Sequence, residues 1–160
     1  MTTRYESRVN YEARKKKLER ILSEQGTGLM LGGIMATDMR IAKGAYNGGC
    51  RIFEPNHPAM ALQMGLYGVT TMNEAEAIRH LVPLERMTCA VEGLRATLGD
   101  DIFITCAARG AFTEEQPVPF TQEDAFKIAY AGADCLHTHK AHIEDVREIA
   151  EYAHNAGLLC

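Results

Sequence analysis

The segment Leu-His-Thr-His-Lys at residues 136–140 places two histidines two positions apart. In extended backbone, residues i and i+2 point to the same side, so His137 and His139 would present their imidazoles together. Glu54, which ends a neighbouring apolar segment, would add a carboxylate. Nitrogen and oxygen ligands of this kind suit a divalent metal such as Zn, Mn, Fe or Mg. We therefore predict a metal site of His137, His139 and Glu54; the alternative is that His137 caps its strand and His139 is a solvated loop residue.

Three further residues have side chains that can move protons or form covalent bonds. Asp38 and His57 each follow a predicted strand, where either one could act as an acid or a base. Asp38 also lies at a helix start, where the helix dipole favours an acidic side chain. Lys140 adjoins the two histidines, and a lysine among cationic neighbours can serve as a Schiff-base nucleophile. We predict Asp38, His57 and Lys140 as catalytic candidates, although a lysine at the start of a surface helix is usually only solvated.

Arg109 and Asn56 are predicted to bind the substrate. Arg109 follows the small residues 105–108, which leave room beside it. A guanidinium in such a place can grip a carboxylate or a phosphate through two hydrogen bonds. The alternative for Arg109 is a salt bridge to Glu114 or Glu115 in the following loop. Asn56 comes at the corresponding end of the second predicted strand.

Short apolar segments alternate with amphipathic ones along the chain, and these elements must position the residues above. Glycine, proline and capping residues mark where each element ends. The predicted strands are 29–35, 50–54, 102–107 and 134–137, with a fifth beginning at 158. The predicted helices are 10–25, 38–46, 59–66, 73–81, 83–98, 121–132 and 143–155. Residues 1–160 are therefore predicted to form a single α/β domain with an N-terminal helix at about 10–25 and a helical insertion at about 70–100.

Local sequence also predicts how several helices begin and which side they expose. Thr37 is predicted to cap the helix at 38–46, because a threonine oxygen can accept one of the first free N–H groups. Thr121, with Asp124 three residues later, predicts a capped start for a later helix. The four consecutive cations at 14–17 are predicted to form a solvated face of the first helix rather than a patch that binds a polyanion.

Alternating strands and helices predict a parallel sheet whose strands are joined by right-handed crossovers. Two architectures fit this pattern, an open doubly wound sheet and a (β/α)8 barrel. The phrases YNGGCRI at 46–52 and YAGADCL at 130–136 resemble the joints of helix, Ala-Gly-Ala-Asp and hydrophobic strand that recur in metabolic (β/α)8-barrel enzymes, and AHNAGLL at 153–159 resembles the next such joint. This resemblance covers residues 29–160 and implies a parallel (β/α) barrel-type fold, about half a TIM barrel. The open doubly wound sheet is the alternative.

Half a barrel predicts self-association. A complete barrel usually needs about 250 residues, and this chain has 160. Four βα units would leave unpaired strand edges, which several copies of the chain can cover by pairing with one another. We therefore expect a homo-oligomer; a longer polypeptide that supplies the remaining strands would meet the same need.

Composition and charge exclude several classes of function. The chain has 17 Lys and Arg against 21 Asp and Glu, a net charge of −4, which leaves no electrostatic footprint for nucleic acid. No apolar stretch reaches the length of a bilayer, so no membrane partner is predicted. The five cysteines are odd in number and contain no C-x-x-C pair, which is typical of a reducing, cytoplasmic location. The glycines at 26–28 precede the first strand instead of following it, so NAD binding is not predicted.

The site residues and the fold together predict an enzyme. The H-x-H pattern of His137 and His139 resembles that of metal-dependent lyase and hydrolase barrels, where it lies at a strand end. A metal held there would polarise a carbonyl, so that a carbanion or enolate forms beside it. We predict a lyase or isomerase that acts on a small anionic metabolite, a carboxylate or a phosphate. The alternative is a non-catalytic half-barrel whose edges and apolar face serve only assembly or partner binding.

Overall fold

A computed structural model gives the fold of residues 4–26, 28–66, 70–107, 116, 118–138 and 142–160. The strands in these ranges form a four-stranded sheet in which all neighbouring strands run parallel. They are β1 (Met30–Gly32), β2 (Ile52–Glu54), β3 (Phe103–Ala107) and β4 (Cys135–His137). Their order in the sheet is their order in the chain. The predicted α/β class with a parallel sheet is confirmed.

Helices precede and connect the strands. They are α1 (Arg4–Gln25), α2 (Ile34–Thr37), α3 (Met39–Asn47), α4 (His57–Gln63), α5 (Met72–Ala77), α6 (Leu84–Leu98), α7 (Gln122–Ala131) and α8 (Ile143–Asn155). A 3-10 turn at Arg79–Leu81 lies between α5 and α6, so the stretch predicted as a helical insertion holds three helical elements. None of the helices in the described ranges has both the length and the apolar character needed to cross a bilayer.

The first strand is shorter than predicted. The sequence predicts one strand over 29–35, but β1 ends at Gly32 and the helical turn α2 follows at once. Gly33 adopts a φ of 68°, a left-handed conformation that glycine enters without steric cost and that ends an extended segment. Its N–H donates to the carbonyl oxygen of Glu54 at 3.0 Å and so fixes the turn against β2. The strand prediction is therefore wrong for residues 34–35.

Helix α3 is capped by Asp38 and not, as predicted, by Thr37. The Asp38 carboxylate accepts a hydrogen bond from the backbone N–H of Arg40 at 2.9 Å. Thr37 belongs to the preceding helical turn, and its hydroxyl donates to Oε1 of Gln63 at 2.9 Å. A cap needs an extended backbone, which Asp38 has and a residue inside a helical turn does not.

Two sets of apolar side chains pack on opposite faces of the sheet. Phe53 and Ile104 belong to the main core, together with side chains of α6 and α7. Their neighbours in sequence, Ile52 and Phe103, point to the other face because successive residues of a strand alternate. On that face, which we call the α1 face, they pack against Ile21 of α1. Full burial of a side chain such as Ile21 stabilises a fold by about 1.5–3 kcal/mol.

A buried carboxylate ties α1 and α6 to the sheet. Asp134, which immediately precedes β4, is only 2% exposed. Nζ of Lys17 in α1 lies 2.8 Å from its Oδ1, and the Arg95 guanidinium of α6 contacts its Oδ2. The backbone N–H of Ile104 also donates to this carboxylate, at 2.9 Å. Ion pairs and hydrogen bonds of this kind are what allow a charged group to be buried.

The basic run at 14–17 is divided between the protein interior and solvent. Arg14 donates to the carbonyl oxygen of Gly157 at 2.6 Å, and Lys17 donates to Asp134, whereas the two lysines between them are exposed. Successive residues of a helix point about 100° apart, so four of them cannot share one face. Burial accordingly lowers the pKa of Arg14. The prediction of a wholly solvated face is wrong for Arg14 and Lys17.

The C-terminal residues extend the sheet beyond β4. Leu159 forms a parallel bridge with Cys135, and its carbonyl oxygen accepts the Leu136 N–H at 2.9 Å. This contact lies where the sequence predicts that a fifth strand begins. The opposite edge of the described sheet is formed by β1, which pairs with β2.

Candidate active site

Polar side chains of three strands meet on the α1 face, two of them from the last residue of their strand and one from the middle of β3. Glu54 is the last residue of β2, Thr105 is the third residue of β3, and His137 is the last residue of β4. Each lies two positions after a residue that points to the α1 face, so the pleat of the strands directs all three to that side. In parallel α/β proteins, ligands bind at the carboxyl ends of the strands.

Glu54 and His137 are in direct contact. Nε2 of His137 lies 3.2 Å from Oε1 of Glu54, although β3 separates the two strands that carry them. The side chains are 28% and 18% exposed for His137 and Glu54, respectively. Both are therefore partly removed from water but still open to a small molecule. A carboxylate and an imidazole in this geometry can accept, hold and return a proton.

Thr105 contacts the other ring nitrogen of His137. Its Oγ1 lies 3.1 Å from Nδ1 of the imidazole. Thr105 is not among the predicted site residues, because a single threonine in the apolar strand Phe-Ile-Thr-Cys-Ala has no chemical motif around it. The one signal in the sequence is its position, since Thr105 is the polar residue between Phe103 and Ala107 on one face of the strand.

Asn56 lies beside Glu54 and caps the start of α4. Its Oδ1 accepts the backbone N–H of Ala59 at 2.9 Å, which makes it the N-cap of the helix. Its Nδ2 donates to Oε1 of Glu54 at 3.4 Å. The structure thus places this predicted substrate-binding residue at the carboxylate of Glu54, while the binding role itself stays a prediction.

Gly32 leaves the space that the Glu54 carboxylate fills. The two residues are partners in the register between β1 and β2. A Cβ added to Gly32 would lie 2.8 Å from Oε2 of Glu54, closer than real Cβ contacts come. A larger residue at this position would push the carboxylate away from its present place.

The carboxylate of Asp38 is engaged at the start of its own helix. It accepts two hydrogen bonds from the Arg40 side chain, at 3.1 and 2.7 Å, in addition to the backbone bond of the cap. Together these bonds lower the pKa of Asp38 to about 2, and the hydrogen bonding from the Arg40 side chain makes the largest contribution. The carboxylate therefore stays ionised at neutral pH and serves the helix end, and its catalytic role stays a prediction.

The remaining predicted residues are only partly covered by the described structure. His57 is the first residue of α4, and its side chain lies outside what the structure describes. Arg109, His139 and Lys140 lie outside the described residues altogether. Their predicted roles in substrate binding, metal binding and Schiff-base chemistry stay predictions.

The structure describes two of the three predicted metal ligands, and these two are in contact. Glu54 and His137 supply one carboxylate and one imidazole in contact, whereas the third predicted ligand, His139, is among the residues not described. Among the described residues, no group of three or more His, Cys, Asp or Glu side chains has the arrangement of a metal site. The pair by itself offers two ligands, fewer than a divalent metal takes from most protein sites.

The cysteine thiols near the pair are held in their neutral form. Burial raises the pKa of Cys135 to about 11. Burial also raises the pKa of Cys106, which is completely enclosed in the main core. A cysteine nucleophile needs a thiolate, so Glu54 and His137 are the groups of this cluster suited to acid–base chemistry.

No protein-family model matches the chain, and no curated protein matches its sequence. Inference about function therefore depends on the geometry of the cluster formed by Glu54, Thr105 and His137.

Proposed function

We propose that the chain is a lyase or isomerase of barrel-type (β/α) architecture, which moves a proton beside the carbonyl group of a small anionic metabolite. The observation that carries this proposal is the contact of 3.2 Å between Glu54 and His137 at the carboxyl ends of the strands. An acid and a base placed side by side in a partly desolvated site are what such a reaction needs.

The order of the strands supports the barrel-type architecture over the doubly wound alternative. A doubly wound sheet reverses its strand order at a switch point, and its ligand binds there. In the described sheet, β1 to β4 follow the chain order without a reversal. In barrel enzymes the reacting groups come from the carboxyl ends of several strands, which is how Glu54 and His137 are arranged here.

The two side chains have complementary roles in the proposed reaction. Glu54 acts as the base: one of its oxygens takes the proton from the carbon next to the carbonyl, and the C–H electron pair becomes the enolate double bond. His137 acts as the acid, because its Nε2–H can donate to the carbonyl oxygen on which the negative charge develops. Return of the proton to another atom gives an isomerase, and loss of a leaving group gives a lyase. The anionic group of the substrate is assigned to Arg109 and Asn56, as the sequence predicts.

A divalent metal bound by Glu54 and His137 is another way to polarise the same carbonyl. Native mass spectrometry of chelator-treated protein, incubated with Zn²⁺ or Mn²⁺, separates the two forms of the proposal. One ion per chain that is lost in His137→Ala would support the metal-assisted form. Catalysis by protein that takes up no ion would support the acid–base pair alone.

Solvent deuterium exchange tests the proposal over a whole class of substrates. An enzyme that forms an enolate replaces the C–H next to a carbonyl by C–D in D₂O, which proton NMR detects. The substrates to screen are 2-oxo acids, hydroxy acids and phosphorylated keto compounds. We expect exchange of at least one of them, slowed about 10²- to 10⁴-fold in Glu54→Gln.

The matched control is Glu24→Gln, which changes an exposed glutamate of α1 that pairs only with Arg20 among the described residues. This variant should exchange at the wild-type rate. If no compound exchanges, or if Glu54→Gln is as fast as the wild type, the catalytic proposal fails.

The second candidate function is non-catalytic assembly, which the outer side of β1 favours, because no other strand among the described residues pairs with it there. Leu29 and Met30 at this edge are each 57% exposed, and unpaired apolar edges favour pairing between chains. Sedimentation velocity of the wild type and of Met30→Lys would detect such assembly. A homo-oligomer that Met30→Lys dissociates, in a protein with no exchange activity, would favour assembly as the function.

A further inference from the structure

Thr105 lies between the proposed catalytic histidine and a cysteine on the neighbouring strand. Its hydroxyl oxygen is 3.1 Å from Nδ1 of His137. The parallel register of β3 and β4 places Cys135 directly opposite Thr105. The contact between Thr105 and His137 is therefore made between two paired strands and not by a loop.

The proton positions in this cluster follow from what each group can donate. A carboxylate only accepts hydrogen bonds, so the contact of Glu54 with Nε2 of His137 needs a proton on Nε2. A neutral imidazole carries one proton, which leaves Nδ1 as an acceptor. The hydroxyl of Thr105 must then donate to Nδ1.

Cys135 does not compete strongly for the Thr105 proton. A thiol sulfur is a weak hydrogen-bond acceptor, whereas the imidazole nitrogen is a strong one. The Cys135 sulfur also lies 3.3 Å from the carbonyl oxygen of Leu136, which can accept its S–H. The threonine proton is thus directed to the histidine.

We propose that Thr105 is a positioning residue, which holds neutral His137 in the tautomer protonated at Nε2 and fixes the plane of its ring. The catalytic consequence rests on the proposed function, because it is the Nε2–H that faces Glu54 and the substrate carbonyl. The tautomer itself is a property of the resting protein and does not depend on any reaction.

Nitrogen NMR of the full chain labelled with ¹⁵N-histidine tests the tautomer directly. The chain has 6 histidines, and the signals that vanish in His137→Gln identify those of His137. At a pH where its ring is neutral, we expect Nε2 to be protonated and Nδ1 to show the shift of a hydrogen-bonded lone pair. In Thr105→Val, which keeps the shape of the side chain without the donor, the Nδ1 signal should move to the position of a free lone pair or of mixed tautomers.

Thr105→Ser is the conservative variant and should restore the wild-type spectrum. In the exchange reaction, Thr105→Val should lower kcat about 10- to 100-fold, since small displacements of a reacting group have costs of this size, with KM changed less than about twofold. Thr105→Ser should recover most of kcat. Thermal unfolding of both variants checks that the fold is retained.

Two results would overturn the inference. One is a wild-type His137 protonated at Nδ1, and the other is a Thr105→Val spectrum identical to that of the wild type. If no substrate exchanges but the spectra behave as expected, the proposed function fails while the positioning role of Thr105 stands.

Discussion

Gly32 leaves room for the carboxylate of Glu54 in the candidate site. It is the register partner of Glu54, and a Cβ at Gly32 would lie 2.8 Å from Oε2. We expect Gly32→Ala to displace this carboxylate and to reduce deuterium exchange at least about tenfold. Stability should change by less than about 1 kcal/mol, because the obstructing atom is the end of a flexible side chain.

Gly44→Ala is the control for this change. Gly44 lies within α3, and an added Cβ there would meet no atom within 4 Å. Alanine at a helix interior position is better than glycine by about 1 kcal/mol, so this variant should keep the exchange rate and gain stability. Wild-type exchange rates in Gly32→Ala would show that the position of Glu54 is not important.

Asp38 should make the stability of the protein dependent on acid pH. The Arg40 side chain lowers the pKa of Asp38 from 3.8 to about 2 in the folded state. A lowered folded-state pKa stabilises the fold above the ordinary pKa, and this stabilisation is lost as the pH falls through about 2. Urea unfolding should therefore show a difference between the wild type and Asp38→Asn at pH 6 that shrinks towards zero near pH 2. A difference that stays constant over this range would contradict the assignment.

Single residues differ in how far their roles can be predicted from sequence. Glu54 and His137 stand out in the sequence because charged residues directly after apolar segments are expected at strand ends, although their contact across β3 requires the sheet. Thr105 does not stand out, because an isolated threonine has many ordinary uses in a strand. Its role depends on the register of β3 with β4, which one sequence does not specify.

Helix α7 shows how local sequence determines where an element begins. The Thr121 hydroxyl accepts the N–H of Asp124, and the Asp124 carboxylate accepts the N–H of Thr121 in return. We expect Thr121→Ala to lower the free energy of unfolding by about 1 kcal/mol, the usual value of such a cap. Thr121→Ser keeps the oxygen and should stay within a few tenths of the wild type in urea unfolding. Equal losses in both variants would show that the cap is not the cause.

Elements with local signals are predicted more reliably than those determined by packing. The capped start of α7 and its end at Gly132, which has a φ of 106°, can both be read from the sequence. The end of β1 is less well determined, because residues 29–35 carry no polar side chain and the Gly32–Gly33 pair among them can either interrupt or end a strand. The turn at Gly33 depends on its hydrogen bond to β2, a contact between distant parts of the chain.

The attachment of α1 to the sheet is a property of the whole molecule. Three cations from two helices surround Asp134: Lys17, Arg95 and, at 3.9 Å, Arg14. We expect Asp134→Asn to destabilise the protein by about 3 kcal/mol, because it leaves these partly buried charges without a counter-ion. This loss would be a large part of the stability of a typical domain.

The control for Asp134 is Asp101→Asn, which removes a largely exposed carboxylate 3.5 Å from Arg20. An exposed pair of this kind contributes at most about 1 kcal/mol, so the variant should unfold almost as the wild type does. Urea unfolding at neutral pH measures both. Equal small losses would mean that the cluster at Asp134 does not hold α1 in place.

At the scale of the whole molecule, the parallel sheet can be predicted from the sequence, whereas the position of α1 cannot. Alternation of strands with helices is sufficient to predict a parallel sheet. The placement of α1 is not predictable in this way, because its cations resemble a solvated surface until Asp134 is brought beside them. Arg14 and Lys17 thus face the protein because their hydrogen-bond partners, Gly157 and Asp134, lie more than a hundred residues later in the chain.

The central claim is that Glu54 and His137 act as one catalytic unit, and a double-mutant cycle of the deuterium-exchange rate tests it most directly. The rates to compare are those of the wild type, Glu54→Gln, His137→Gln and the double variant. Residues that act together are strongly non-additive, so we predict that the double variant is within about threefold of the slower single variant. Losses that multiply in the double variant, or single variants that exchange at the wild-type rate, would contradict the account.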